Sequence, residues 1–269
     1  METKRIFLTC GKEDTYIDAY LPKYPGKAKR KAILIIPGGG YNRVCSDREG
    51  EPIAFAFLER KFIPFVLEYT TGRRDKFPCQ IIEVARAIKH IKDNADAYHI
   101  DPDELYVIGF SAGGHLAGAS GTMWKHSAIY EAINDMPYGY NKPRGVMLIY
   151  PVVSPRLEHH FGSFQNLVCN DEPTEEQKAA TAIDEHVDRD SVPAFIMHTA
   201  DDMTVDVNNS LRLAAAYSRV GVPFELHVYP HGAHGIALAN SLTSYGREDW
   251  EDSRIAEWVR LAAEWTDIQ

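Results

Sequence analysis

Cysteine is scarce in this 269-residue chain: Cys10, Cys45, Cys79 and Cys169 are widely scattered and form no C-x-x-C pair. That spacing argues against a zinc site. Without a secretory context the thiols are expected to be buried and free rather than disulfide-bonded. No apolar run is long enough to cross a bilayer, and the N-terminal stretch from Met1 to Gly11 is too weakly apolar for a signal peptide, so a cytoplasmic location is the expectation. Positive charge is also in deficit, with 29 Lys and Arg against 38 Asp and Glu and a formal net charge of −9. No Lys/Arg-rich run offsets it, which argues against nucleic acid and acidic membrane surfaces as partners. Internal repeats and low-complexity tracts are absent, and composition leaves a homo-oligomer open.

What is present is the alternation of an α/β protein. Apolar runs at Ala32–Ile36, Ile63–Tyr69, Leu105–Ile108, Val146–Tyr150, Ala194–His198 and Glu225–Tyr229 read as strands, and Glu51–Arg60, Pro78–Asn94, Asn208–Val220 and Glu251–Thr266 read as helices between and after them. In Pro78–Asn94 the residues Ile81, Ile82, Ala85, Ile88 and Ile91 share one face. Strands alternating with helices of this length imply a mostly parallel central sheet with helices on both faces. A single domain spanning 1–269 fits the length. The stretch between Pro151 and Pro193 departs from the pattern: it is polar and acidic, with Phe161, Phe164, Leu167 and Val168 as its compact apolar cluster, and reads as a small lid-like insertion.

The strongest chemical signal is Gly109-Phe110-Ser111-Ala112-Gly113, entered from an apolar strand and continued by the small-residue run Gly114-His115-Leu116-Ala117. A serine exposed on a sharp strand-to-helix turn needs a strained backbone, and glycine on either side removes the clashes that side chains would make. The helix that follows brings its N-terminal amides to the bend, so the N–H of Ala112 becomes a candidate donor to a developing oxyanion.

Open parallel sheets bind ligands where their strands end, so partners for Ser111 are sought in the other strand-end loops. Pro37-Gly38-Gly39-Gly40-Tyr41 supplies unobstructed amides, with Gly39 and Gly40 the candidate oxyanion donors. A dinucleotide-binding reading of that loop fails because the next required glycine is Arg43. Beyond the Ala194–His198 strand come Asp201 and Asp202, either of which can orient a histidine or merely form a turn. The last strand leads to His231 and His234 on a glycine-rich loop. A metal site from these two with His159 and His160 lacks the helical spacing and accompanying carboxylate of zinc motifs, so no metal is expected.

The chain order Ser, Asp, His is that of the α/β-hydrolases. Together, Pro37-Gly38-Gly39-Gly40-Tyr41, Glu49-Gly50-Glu51-Pro52-Ile53-Ala54, Gly109–Leu116, His198–Asp202 and His231-Gly232-Ala233-His234-Gly235 resemble the bacterial carbohydrate esterases related to acetylxylan esterase and the feruloyl-esterase-like branch near the hormone-sensitive lipase group. The resemblance implies a serine ester hydrolase that needs no cofactor. Ser111 is its nucleophile, His234 its base and Asp202 the acid, with Gly39, Gly40 and Ala112 as the oxyanion hole. Thr199 stands where that family's acid motif has glycine, which leaves the choice between Asp201 and Asp202 to the structure.

The polar insertion offers little to long acyl chains. The expected substrate is a small-molecule, short-acyl ester, in first place an acetylated sugar, with Tyr41 and Trp124 as candidate aromatic walls for the ring. The same residues also serve amidases and peptidases, including arylformamidase-like enzymes, and the fold can host non-catalytic interaction proteins.

Overall fold

The computed structural model describes residues 1–8, 15–157 and 161–269, which leaves Cys10, Glu158, His159 and His160 outside the described residues. Among the described residues, eight strands, β1 (Glu2–Phe7), β2 (Tyr16–Leu21), β3 (Arg30–Ile36), β4 (Ile63–Glu68), β5 (Ile100–Phe110), β6 (Gly145–Ile149), β7 (Ala194–Thr199) and β8 (Phe224–Tyr229), form one sheet in the order β1-β2-β4-β3-β5-β6-β7-β8. From β4 to β8 all pairings are parallel, whereas β1 and β2 add an antiparallel edge.

The central strands are apolar throughout because both their faces are covered. Along β5, Leu105 and Val107 enter one core layer, while Tyr106, Ile108 and Phe110 enter the other. The first layer packs under α3 (Cys79–Asp93), α5 (Ala112–Thr122) and α9 (Asn208–Val220), and the second under α2 (Glu51–Glu59) and α11 (Trp258–Trp265). On α3 the buried stripe is Ile81, Val84, Ala85, Ile88 and Ile91, so Val84 rather than Ile82 completes the expected face. Short helices α1 (Ser46–Glu49), α4 (Ala95–Tyr98), α6 (Ser127–Ala132) and α10 (Ser253–Ala256) fill the connections.

The antiparallel edge escaped the sequence reading. Strand β1 is largely exposed and charged, so it lacks an apolar run, and only the alternation of Ile17 and Ala19 with Tyr16 and Asp18 marks β2. A two-pronged ion pair from the Arg5 guanidinium to the Asp18 carboxylate, at 2.9 and 2.8 Å, joins the two strands in register.

The 151–193 segment folds into α7 (Phe161–Val168), α8 (Glu175–Thr181) and a single turn at Ile183–Glu185. A capping box between Thr174 and Gln177 starts α8. Its apolar residues Phe164, Leu167 and Ile183 are buried in the first core layer, so they pack the insertion onto the body rather than facing a ligand. The three described cysteines, Cys45, Cys79 and Cys169, are in no disulfide and are half-buried, where full burial was expected.

Candidate active site

Strand β5 runs directly into Ser111, which has φ 54° and ψ −119°, and α5 starts at the next residue. Such a conformation is costly for a residue with a side chain and is held here by its surroundings. The Ser111 N–H donates to Ile149 O at 3.0 Å, and its carbonyl accepts from the amides of His115 and Val152 at 3.1 Å. The flanking glycines are required by close approach. A Cβ on Gly109 would stand 2.0 Å from Gly113 O, and one on Gly113 would stand 2.1 Å from Ile36 O.

The loop after β8 brings His234 to this serine. Its Nε2 lies 2.8 Å from Ser111 Oγ, and its Nδ1 lies 2.7 Å from Asp202 Oδ2. A carboxylate accepts only, so Nδ1 carries the ring proton, and the bare Nε2 accepts from the Ser111 hydroxyl. Asp202 Oδ1 accepts from the amides of Thr204 and Val205 at 2.8 and 2.9 Å. Burial alone would raise the Asp202 pKa. The hydrogen bonds from His198 and His234, the positive charge His234 can take, and the Val205 amide outweigh it and hold the carboxyl well below its ordinary value.

Sequence left two aspartates and two histidines; the fold sorts them into separate pairs. Asp201 Oδ2 meets His231 Nδ1 at 2.9 Å and Oδ1 accepts from the Gly232 amide, but both side chains of that pair face solvent. His231 therefore braces the loop from outside while His234 faces Ser111. Among the described residues no three His, Cys, Asp or Glu side chains converge as metal ligands, and His159 and His160 of the metal reading lie outside the described residues.

The glycine loop after β3 also reaches Ser111, since a Cβ on Gly38 would stand 3.0 Å from Ser111 Cβ. Gly39 and Gly40 have φ of +125° and +64°, conformations that favour glycine. Among the described residues the amides of Gly39, Gly40 and Ala112 donate to no protein acceptor, which leaves three N–H groups for a ligand. The Gly40 carbonyl accepts from Asn166 Nδ2 at 2.9 Å, so α7 braces this loop.

Two expected substrate walls belong to the interior instead. Tyr41 is 1% exposed; its ring lies edge-on to Tyr69 and His115, and its hydroxyl is 2.7 Å from His115 Nδ1. His115 Nε2 lies 2.7 Å from the Thr181 carbonyl, which can only accept, so Nε2 is protonated and the Tyr41 hydroxyl donates to Nδ1. Desolvation in this pocket lowers the His115 pKa to about 4. Trp124 is 6% exposed just past the far end of α5, roughly 16 Å along the helix axis from Ser111, and its indole N–H donates to Asp190 O. Both rings are amphipathic groups that found a buried polar partner, which satisfies them without a ligand.

Residues that the sequence reading left without a role complete the site. His198, at the end of β7, is fully buried between Ser210 Oγ at 2.7 Å and Val205 O at 2.9 Å, with its Nε2 3.5 Å from Asp202 Oδ2. Val205 O accepts only, so Nε2 bears the proton and faces the Asp202 carboxylate as well. Glu49, 1% exposed, accepts from the Gly38 amide at 2.8 Å and from the Tyr150 hydroxyl at 3.0 Å. The sole signal for these two was their membership of quoted motifs.

Comparison with known proteins gives the family and the fold. The family described as BD-FAE matches residues 17–217. Endo-1,4-beta-xylanase B of Butyrivibrio fibrisolvens is 35% identical over 219 residues, which is 79% of this chain and 33% of that protein. The acetylxylan esterase of Xylanibacter ruminicola is 28% identical over 228 residues, 81% of this chain and 43% of that protein. The chain thus spans between a third and a half of the length of these curated relatives. Among solved structures, an acetyl ester-xyloside bifunctional hydrolase from Caldicellulosiruptor lactoaceticus superposes with a TM-score of 0.80 at 31% identity, covering 94% of this chain and 88% of that one. With a match over most of its length and a mostly parallel eight-stranded sheet flanked by helices, the chain belongs to the BD-FAE family and has the α/β-hydrolase fold.

Proposed function

We propose that this chain is a serine carboxylic-ester hydrolase acting on short-acyl esters of sugars or small glycosides, acetyl esters foremost. The observation that carries the reading is the continuous hydrogen-bonded chain from Asp202 through His234 to a serine held at φ 54° between two obligatory glycines. In the first half-reaction Ser111 Oγ attacks the ester carbonyl carbon as its proton passes to His234 Nε2. The amides of Gly39, Gly40 and Ala112 stabilise the negative oxygen. His234 then gives that proton to the leaving alcohol, and the C–O bond breaks to leave an acyl-serine. Water repeats the sequence: His234 takes its proton, its oxygen bonds to the acyl carbon, and Ser111 leaves and recovers a proton from His234, releasing the acid. Asp202 keeps the imidazole in the productive tautomer and stabilises its charged form.

The acetyl and sugar preference draws on the names of the similar acetylxylan esterase and acetyl ester-xyloside hydrolase. It also draws on the insertion, where Phe164, Leu167 and Ile183 are consumed by packing and not offered to a long acyl chain. A series of nitrophenyl esters from acetate to decanoate, run beside acetylated xylose and an anilide, tests it. Each methylene accepted by a pocket is worth about 1–3 kcal/mol. Highest kcat/KM on acetate with release of acetate from the sugar is the expected result. A steady rise toward decanoate without sugar deacetylation would overturn the substrate assignment, and faster anilide than ester cleavage would make the protein an amidase. Ser111→Ala is expected to lose on the order of 10⁴-fold or more in kcat and to stop labelling by a fluorophosphonate. Labelling at any other residue would overturn the mechanism.

A further inference from the structure

Among the non-glycine residues with positive φ, Tyr150 (φ 38°) and Ala237 (φ 51°) are joined by a hydrogen bond, from the Ala237 amide to the Tyr150 hydroxyl at 3.1 Å. Two such residues held against each other imply that their surroundings over-determine this geometry. Tyr150 follows β6 and is 1% exposed. Its ring stands edge-on to His234, with centroids 5.1 Å apart at 65°. Ala237 lies three residues beyond His234 in the same loop.

The hydroxyl of Tyr150 can accept from Ala237 because its own proton is committed elsewhere, to Glu49 Oε1 at 3.0 Å. The second carboxylate oxygen of Glu49 accepts from the Gly38 amide at 2.8 Å, at the root of the loop that carries Gly39 and Gly40. One carboxylate therefore touches the glycine loop directly and the histidine loop through a single phenol. The Arg48 guanidinium lies 3.5 Å from Glu49 Oε1 and is held over the rings of Trp250 and Tyr245, so the buried charge has a countercharge. That cation also runs along the histidine loop, since a Cβ on Gly235 would stand 2.9 Å from its Nη2.

We propose that Glu49 is a positioning residue that sets the separation between the oxyanion amides and His234, acting through Gly38 and Tyr150. This inference rests on the reading of Ser111, His234 and Asp202 as the reacting groups. The role demands two acceptor oxygens at once. A glutamine of the same shape has one, so its NH₂ must confront either the Gly38 N–H or a Tyr150 hydroxyl that has then lost its acceptor. Whichever contact fails, one side of the site relaxes while the substrate-binding surface stays in place.

The test begins with fluorophosphonate labelling of the wild-type protein, which checks the underlying reading by itself: without labelling at Ser111, that reading falls, and this inference with it. With labelling established, Glu49→Gln and Tyr150→Phe are compared by kcat and KM on nitrophenyl acetate. Concentrations are normalised to folded protein by thermal melting, and affinity for a boronic acid that forms a tetrahedral adduct with the serine is measured alongside. Misplacement of catalytic groups by a fraction of an ångström predicts a fall in kcat of roughly 10–100-fold for Glu49→Gln, KM within about threefold, and a parallel loss of boronate affinity. Tyr150→Phe, which leaves Glu49 its bond to Gly38, is expected to show a smaller fall, and the double variant no further loss beyond Glu49→Gln, because both act in one linkage. Folded Glu49→Gln protein with kcat and boronate affinity within threefold of wild type overturns the inference, as does a loss confined to melting temperature. If Glu49→Gln does not fold, Tyr150→Phe decides alone: kcat and boronate affinity lower at unchanged KM support the linkage, and unchanged values refute it.

Discussion

Replacing Asp202 by asparagine is the sharpest probe of the proposed chemistry, because the structure dictates how the new side chain must turn. Asp202 Oδ1 accepts from two backbone amides, Thr204 at 2.8 Å and Val205 at 2.9 Å, and Oδ2 faces His234 Nδ1 at 2.7 Å. If the asparagine oxygen keeps the two amides, its NH₂ faces His234. If it is flipped, the NH₂ opposes two N–H donors and leaves both unsatisfied, which costs about 1–3 kcal/mol for each. The first orientation wins by roughly 2–6 kcal/mol, and it forces His234 to present a bare Nδ1. The ring proton then sits on Nε2, 2.8 Å from Ser111 Oγ, where the base should be. Turnover is expected to fall on the order of 10³–10⁴-fold, or about 4–5.5 kcal/mol of barrier. Asp201→Asn disturbs only a solvent-facing pair with His231 and should change kcat/KM by less than about threefold. Steady-state kinetics of both variants on nitrophenyl acetate, beside thermal melting, makes the measurement. An Asp202→Asn enzyme within tenfold of wild type, or an equally damaged Asp201→Asn enzyme, would refute the tautomer argument.

Three further outcomes are expected. His234→Ala should lower turnover on the order of 10³-fold or more, and His231→Ala should be nearly silent in the same assay; equal losses would mean that the two loop histidines act together. The pKa of His115, lowered by burial from 6.5 to about 4, makes the unfolded chain bind more protons between those values, so its contribution is present above pH 6.5 and lost as pH falls toward 4, by up to about 3 kcal/mol. Urea denaturation across that range should show a shallower pH slope in His115→Gln than in wild type, and an unchanged slope would refute it. Gly113→Ala, whose Cβ would lie 2.1 Å from Ile36 O, should destabilise by on the order of 3 kcal/mol or more, whereas Gly26→Ala, in open space at φ +91°, should cost about 1 kcal/mol. Comparable melting temperatures for the two variants would count against the close-packing argument.

The parallel core and the strained turn at Ser111 were legible in the chain because their causes are local. An apolar run buried on both faces and a glycine-flanked serine at its end carry their physics in consecutive residues, and the strands from Arg30 to Tyr229 and the turn at Ser111 came out where they were read. The exposed antiparallel edge carried no such run and was missed. Sequence could offer Asp201 or Asp202 and His231 or His234, yet the pairing depends on which side chain points inward from a loop, and backbone twist beyond the reach of periodicity decides that. The burial of Tyr41 against His115, 74 residues away, and of Trp124 against Asp190 likewise followed from polar partners that only folding brings near. Glu49 and Tyr150 are 101 residues apart, and His234 and Ser111 are 123 apart. Contacts at such separations form only when the strand order of the sheet is set. The amino-acid sequence alone therefore determined the layered core and the strained serine, while the tertiary structure chose the serine's partners, because hydrogen bonds select by position and local sequence encodes only conformation.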